Sequence, residues 1–128
     1  MSREGDSPLV EVECREDVAI VRFPSKMFQR AETEALQGKM EDLFLRGVTT
    51  FIFDLGDCLY ISSEGLGTTA RYWKFCRDRH KGRMAVVMGE NTDPEVQNLF
   101  EIIGLAAVIG SAVRPTVDDA LKYLKTFS

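Results

Sequence analysis

Residues 50–70 read TFIFDLGDCLYISSEGLGTTA, and this stretch constrains the fold more than any other. Phe51, Ile52 and Phe53 form an apolar run closed by Asp54. Such runs mark central strands covered on both faces, because successive side chains point to opposite sides. Met84 to Met88, MAVVM, is a second run of this kind. A strand covered on both faces needs helices on both sides, and helical spacing is present between the runs. Ala35, Leu36, Met40, Leu43 and Phe44 recur with helical period over 31–46, with Gly47 as the stop. Leu66, Ala70, Trp73 and Cys76 do the same over 63–78.

The rest of the chain fits this alternation. Residues 9–14, LVEVEC, alternate strictly and predict a half-buried strand. Residues 18–23, VAIVRF, predict another, and the short turn at Arg15, Glu16 and Asp17 makes the two a hairpin. Pro24 ends the second strand. Thr92, Asp93 and Pro94 open a helix with Val96, Leu99, Phe100 and Ile103 inward and Gly104 as its cap. Residues 106–109 predict a short strand. Thr116, three residues before Asp119, caps a last helix with Val117, Ala120, Leu121 and Leu124 inward. The element order is β-β-α-β-α-β-α-β-α. It implies crossover connections and an α/β fold with a mixed, mostly parallel sheet of about five strands and about four helices. At 128 residues this is one domain, placed at 9–127, and the polar residues 1–8 read as a flexible tail.

Bulk properties exclude several function classes. The net charge of −4 leaves no basic footprint for nucleic acid. No apolar run is long enough to span a membrane, and the first ten residues lack a signal core, so a cytoplasmic location is expected. Cys14, Cys58 and Cys76 are isolated, form no CxxC pair and sit among apolar neighbours. No metal site is expected, and all three read as buried, reduced thiols.

The segment from Gly65 to Ala70 matches GxGxxA, a dinucleotide fingerprint. In that fingerprint the first glycine follows the strand at once, so that the turn drops the pyrophosphate onto the helix start. Here Gly65 stands ten positions after Leu55, inside the helix, so no cofactor is expected and the glycines serve a close approach to the helix start. Ser63 lacks a base: the only histidine, His80, stands at the far end of the same helix, over about 20 Å away at about 1.5 Å per residue. No catalytic residue is therefore assigned, and the chain reads as a non-enzyme. Ser62 and Ser63 stand where serine caps a helix, and a helix start also stabilises phosphate. Both roles fit the pair at once, one serine capping and the other open to modification.

These motifs in register resemble the STAS domain family, which includes bacterial anti-sigma factor antagonists and the cytoplasmic domains of sulphate transporters. The resembling residues are Asp54 and Leu55, then Ser62 to Gly67 (SSEGLG), then residues 96–108 (VQNLFEIIGLAAV), then residues 116–121 (TVDDAL). The resemblance implies a single STAS-like domain that binds an anti-sigma factor, itself a serine kinase, and is switched by phosphorylation, with a phosphatase to reset it. By position the phosphoacceptor is Ser63, with Ser62 the second candidate. The partner surface would comprise Phe28, Ser62, Ser63, Glu64, Gly65 and Gly67, with Phe28 exposed in the 24–30 loop. Three departures stand out. Ser62 replaces the family's aspartate, Glu64 replaces a serine or threonine, and the region before the first helix lacks the usual Gly-x-Leu-Asp. A carboxylate at Glu64 would repel a phosphate on Ser63. The alternative reading is an adaptor: a stand-alone domain serving as scaffold in a signalling complex or as a cytoplasmic subunit of a membrane lipid transporter.

Overall fold

The computed structural model describes residues 9–79, 83–89, 92–96, 98 and 112–126. The hairpin forms as read: β1 (Glu11–Arg15) pairs antiparallel with β2 (Val18–Arg22), Arg15 facing Val18. Glu16 and Asp17 alone make the turn, both left-handed at φ 54° and 68°. That two-residue geometry matches the twist of the flanking strands.

β2 then pairs parallel with β4 (Thr50–Asp54), β4 with β6 (Arg83–Val87), and β6 with β7 (Val113–Arg114). The strand order is β1-β2-β4-β6-β7, a five-stranded mixed sheet in an α/β domain. A separate parallel pair joins β3 (Met27–Phe28) to β5 (Tyr60–Ile61).

Helices α1 (Arg30–Leu45) and α2 (Ser63–Arg79) cover one face of the sheet. Their Leu36, Met40, Leu43, Leu66 and Cys76 pack with Ala19, Val21, Phe51, Phe53, Met84 and Val86. The described part of α3 is residues 94–96 and 98, and its Val96 joins this core. Helix α4 (Val117–Lys125) covers the other face, where Ala120, Leu121 and Leu124 meet Val18, Ile20, Ile52, Ala85 and Val87. Phe51 and Phe53 therefore serve one core and Ile52 the other, which is why the run tolerates no polar residue. Each such side chain contributes about 1.5–3 kcal/mol by leaving water.

The helix ends follow sequence chemistry. Gly47, at φ 89°, closes α1, its N–H bonding Phe44 O at 3.0 Å and that of Val48 bonding Leu43 O at 3.0 Å. Asp93 Oδ1 accepts the Glu95 N–H at 2.9 Å and so caps α3, while the Thr92 hydroxyl bonds the Gly89 N–H and the Gly56 carbonyl. Thr116 Oγ1 accepts the Asp119 N–H at 3.0 Å, as its spacing predicted.

One expectation about the strands fails. Cys14 is exposed rather than buried, because β1 is the outermost strand and most of its residues meet solvent. The short strands β3, β5 and β7 were not anticipated. The tail at 1–8, His80, the strand expected at 106–109, and Leu99, Phe100, Ile103 and Gly104 lie outside the described residues.

Candidate functional site

Chain leaving β4 passes Leu55, Gly56, Asp57 and Cys58 before reaching β5 and the start of α2. Asp54 sets this exit: its Oδ1 accepts the Gly56 N–H at 3.0 Å and its Oδ2 lies 3.4 Å from Arg22 Nε. Cys58 is buried, its thiol pushed up to about 12 by burial first and then by the charges of Asp54, Asp57 and Glu32. It is an inert packing residue, not a nucleophile.

The 24–30 loop is held against the α2 start from the other side. Glu32 is buried. One of its carboxylate oxygens accepts the Gln29 N–H at 3.0 Å and the other the Ser25 hydroxyl at 3.1 Å. Lys26, at φ 64°, turns the chain, and its carbonyl accepts the Leu59 N–H at 2.8 Å. Met27 and Phe28 then run beside Tyr60 and Ile61.

The two serines divide the work at the α2 terminus. Ser62 Oγ accepts the Gly65 N–H at 3.0 Å, the Ser62 carbonyl accepts the Leu66 N–H at 2.9 Å, and the Ser62 N–H donates to Phe28 O at 2.9 Å. Ser62 is thus the cap, half-buried and fully engaged. Ser63 is the first helical residue and is exposed, as is Glu64.

The two glycines differ. Gly65 is buried, and a Cβ built on it would stand 2.7 Å from the Phe28 carbonyl oxygen. This is a close approach, as the sequence suggested, but it is made to the chain's own backbone, so Gly65 offers no surface to a partner. Gly67 has nothing within 4 Å of such a Cβ.

Phe28 is fully buried, contrary to its expected exposure. The β3–β5 pair draws it inward, where its ring stacks on Phe23 at 4.2 Å between centroids. The exposed apolar residues beside the serines are instead Leu59 and Tyr60, 57% and 44% exposed. They were missed because the strand that holds Tyr60 has two residues, too few to show an alternating pattern, and Leu59 is set by its N–H bond to the distant Lys26 carbonyl. The candidate surface at Ser63 therefore comprises Ser63, Glu64 and Gly67 on α2 with Leu59 and Tyr60 just before it in the chain. Among the described residues no cluster of His, Cys, Asp or Glu fits a metal ion.

Residues 10–120 match the STAS domain family. The chain belongs to that family. Its fold is that of anti-sigma factor antagonists. It is similar to a putative anti-sigma factor antagonist of Thermotoga maritima (TM-score 0.74, 16% identity, 91% of this chain and 94% of that one). It is similar also to an anti-sigma factor antagonist of Mycobacterium paratuberculosis (0.71, 21%, 91% and 92%). The Bacillus cell fate determinant SpoIIAA, in its phosphorylated form, is a further likeness (0.66, 19%, 89% and 97%). No curated protein matches the chain. No described helix of this STAS domain is long and apolar enough to cross a membrane.

Proposed function

We propose that this STAS domain is a partner-switching regulator: it binds an anti-sigma factor that is itself a serine kinase, and phosphorylation of Ser63 ends that binding. One observation carries the reading. Ser62 takes the capping hydrogen bond, which leaves the Ser63 hydroxyl in solvent on the first turn of α2. The contact surface is the α2 start with Leu59 and Tyr60, a small apolar patch around the acceptor. A phosphate adds about −1.5 to −2 charges at pH 7 and cannot enter a contact fitted to a neutral hydroxyl. The replacement of the family's aspartate by Ser62 preserves the cap, since both residue types accept the same N–H equally well. A phosphatase resets the switch, the protein works in the cytoplasm, and it catalyses no reaction of its own.

The test is affinity by calorimetry against the kinase captured from native cells with the wild-type chain. Ser63→Ala should bind as wild type does and take up no phosphate. Ser63→Asp should bind more weakly, though phosphate, with more charge and more acceptor oxygens, should weaken binding further. Equal affinity for all three proteins would place the interface elsewhere and favour the adaptor reading.

A further inference from the structure

Among the described residues strand β1 ends the sheet, and its residues Glu11, Glu13 and Cys14 are exposed. The hairpin turn fixes which backbone groups lie on its outer edge. In a two-residue hairpin the pair that closes the turn, here Arg15 and Val18, exchanges both backbone hydrogen bonds. Alternation then turns the N–H and C=O of Arg15, Glu13 and Glu11 toward β2 and leaves those of Val12 and Cys14 facing outward.

The side chains on this edge carry a self-complementary order. Glu11, Glu13 and Arg15 share the sheet face covered by α4, and Val12 and Cys14 share the other. Placed antiparallel to itself about Glu13, the strand sets Glu11 opposite Arg15 twice. Val12 then meets Cys14, the two residues whose backbone groups are free to bond across the edge. The central Glu13 pair is the one like-charge contact. Each Glu13 is already neutralised within its own chain, by Arg22 at 2.7 Å and Arg15 at 3.0 Å. Glu11, Glu13, Arg15 and Arg22 sum to zero in each copy, with Asp118 3.8 Å from Arg15 and Asp54 3.4 Å from Arg22 behind them. A parallel pairing in register would instead stack like on like at all three charged positions. Charged residues on an edge strand ordinarily repel other chains; here the antiparallel register about Glu13 is the one that pairs all five residues of β1, whereas a shift to Cys14 still sets Glu13 opposite Arg15 but pairs only residues 13–15 and brings Glu11 against Asp17.

We infer that β1 is a self-association edge: two copies join antiparallel through β1, with the twofold axis at Glu13, into one continuous sheet. The inference is independent of the switch at Ser63, which lies on a different element.

Sedimentation equilibrium of the full chain at low ionic strength tests it. Wild type should dimerise, and E11R or R15E alone should raise the dimer dissociation constant about tenfold, because each places like charges opposite one another at two symmetric positions. The double variant E11R/R15E exchanges the charges and should recover the wild-type constant, a result that simple loss of folding would not give. The register has its own readout. V12C would set a thiol opposite Cys14 of the second copy, at the roughly 5.5 Å Cα spacing of a bonded pair, which suits a disulfide. Under mild oxidation V12C should therefore cross-link far faster than wild type, whose Cys14 residues lie diagonal to each other. A wild type that stays monomeric, single variants that dimerise like wild type, or equal cross-linking of V12C and wild type would each overturn the inference.

Discussion

Gly65 and Gly67 lie two residues apart in the first turns of one helix, and alanine should act on them with opposite signs. On helix propensity alone, either change gains about 0.8–1 kcal/mol. At Gly67 nothing lies within 4 Å of the added methyl, so that gain should appear nearly whole. At Gly65 the methyl would stand 2.7 Å from the Phe28 carbonyl oxygen, 3.1 Å from Ile61 Cγ1 and 3.2 Å from Phe28 Cδ1. The nearest of these atoms is backbone, and it also accepts the Ser62 N–H at 2.9 Å, so relief requires β3 to retreat from the α2 start. Overpacking of a tight contact costs about 1–3 kcal/mol, and weakening the Phe28–Ser62 hydrogen bond adds about 1 kcal/mol. Against the propensity gain, Gly65→Ala should be destabilising by about 1–3 kcal/mol and Gly67→Ala stabilising by about 0.5–1 kcal/mol. Urea unfolding of the three proteins, with equal slopes, gives both values from the midpoints. Two shifts of the same sign would refute the argument that the backbone contact, and not the residue type, decides.

Three further outcomes follow from the geometry. Ser62→Ala should cost about 1 kcal/mol through the lost cap, while Ser62→Asp should stay within a few tenths of wild type, both read by thermal unfolding. A thiol reagent at neutral pH should label one cysteine in the native chain, Cys14, because Cys58 and Cys76 are buried and pushed up to about 12; reaction of two or three native thiols would contradict their burial. Hydrogen bonds from Arg22 and then Arg15 hold the Glu13 carboxyl below its ordinary 4.5, so its contribution is present above that pH and lost as pH falls through the lowered value. The stability gap between wild type and Glu13→Gln should therefore be widest near neutrality and close in acid, and a gap unchanged down to acid pH would refute it.

The central strands, the hairpin, the inner faces of α1, α2 and α4 and the caps at Asp93 and Thr116 were legible, because each rests on a local pattern. FIF is apolar throughout since two cores claim alternate residues. Gly47 stops α1 since only a left-handed residue closes it that way. What could not be read depends on distant partners. Phe28 stands among the polar Ser25, Lys26, Gln29 and Arg30 and looked like a surface ring. It is buried only because β5, over thirty residues later in the chain, runs beside β3. Cys14 falls on the apolar phase of its strand with Val10 and Val12 but lies on the outermost described strand, and nothing local marks a strand as an edge. At the site, a cap from one of the two serines was legible, but which one caps was settled by Phe28: its carbonyl takes the Ser62 N–H and fixes that residue just outside the helix.

This division of roles bears on how a phosphate at Ser63 would act. Near the α2 start it meets two opposing fields. The helix end favours a negative group by about 0.3–1 kcal/mol. The carboxylate of Glu64, next in the chain and exposed, opposes it by about 1 kcal/mol or less, the value for neighbouring charges in water. The two nearly offset, and the capping bonds of Ser62 do not involve the Ser63 hydroxyl. On the proposed reading, a charge at position 63 should thus leave the fold almost untouched while changing the surface sharply. Ser63→Asp should unfold within about 0.5 kcal/mol of wild type. Removing the opposing carboxylate by Glu64→Ser should make the Asp variant slightly more stable than its own Ser63 parent. Destabilisation of Ser63→Asp by more than about 2 kcal/mol would mean that the hydroxyl takes part in holding α2, and loss of partner binding in that variant would then report unfolding rather than switching.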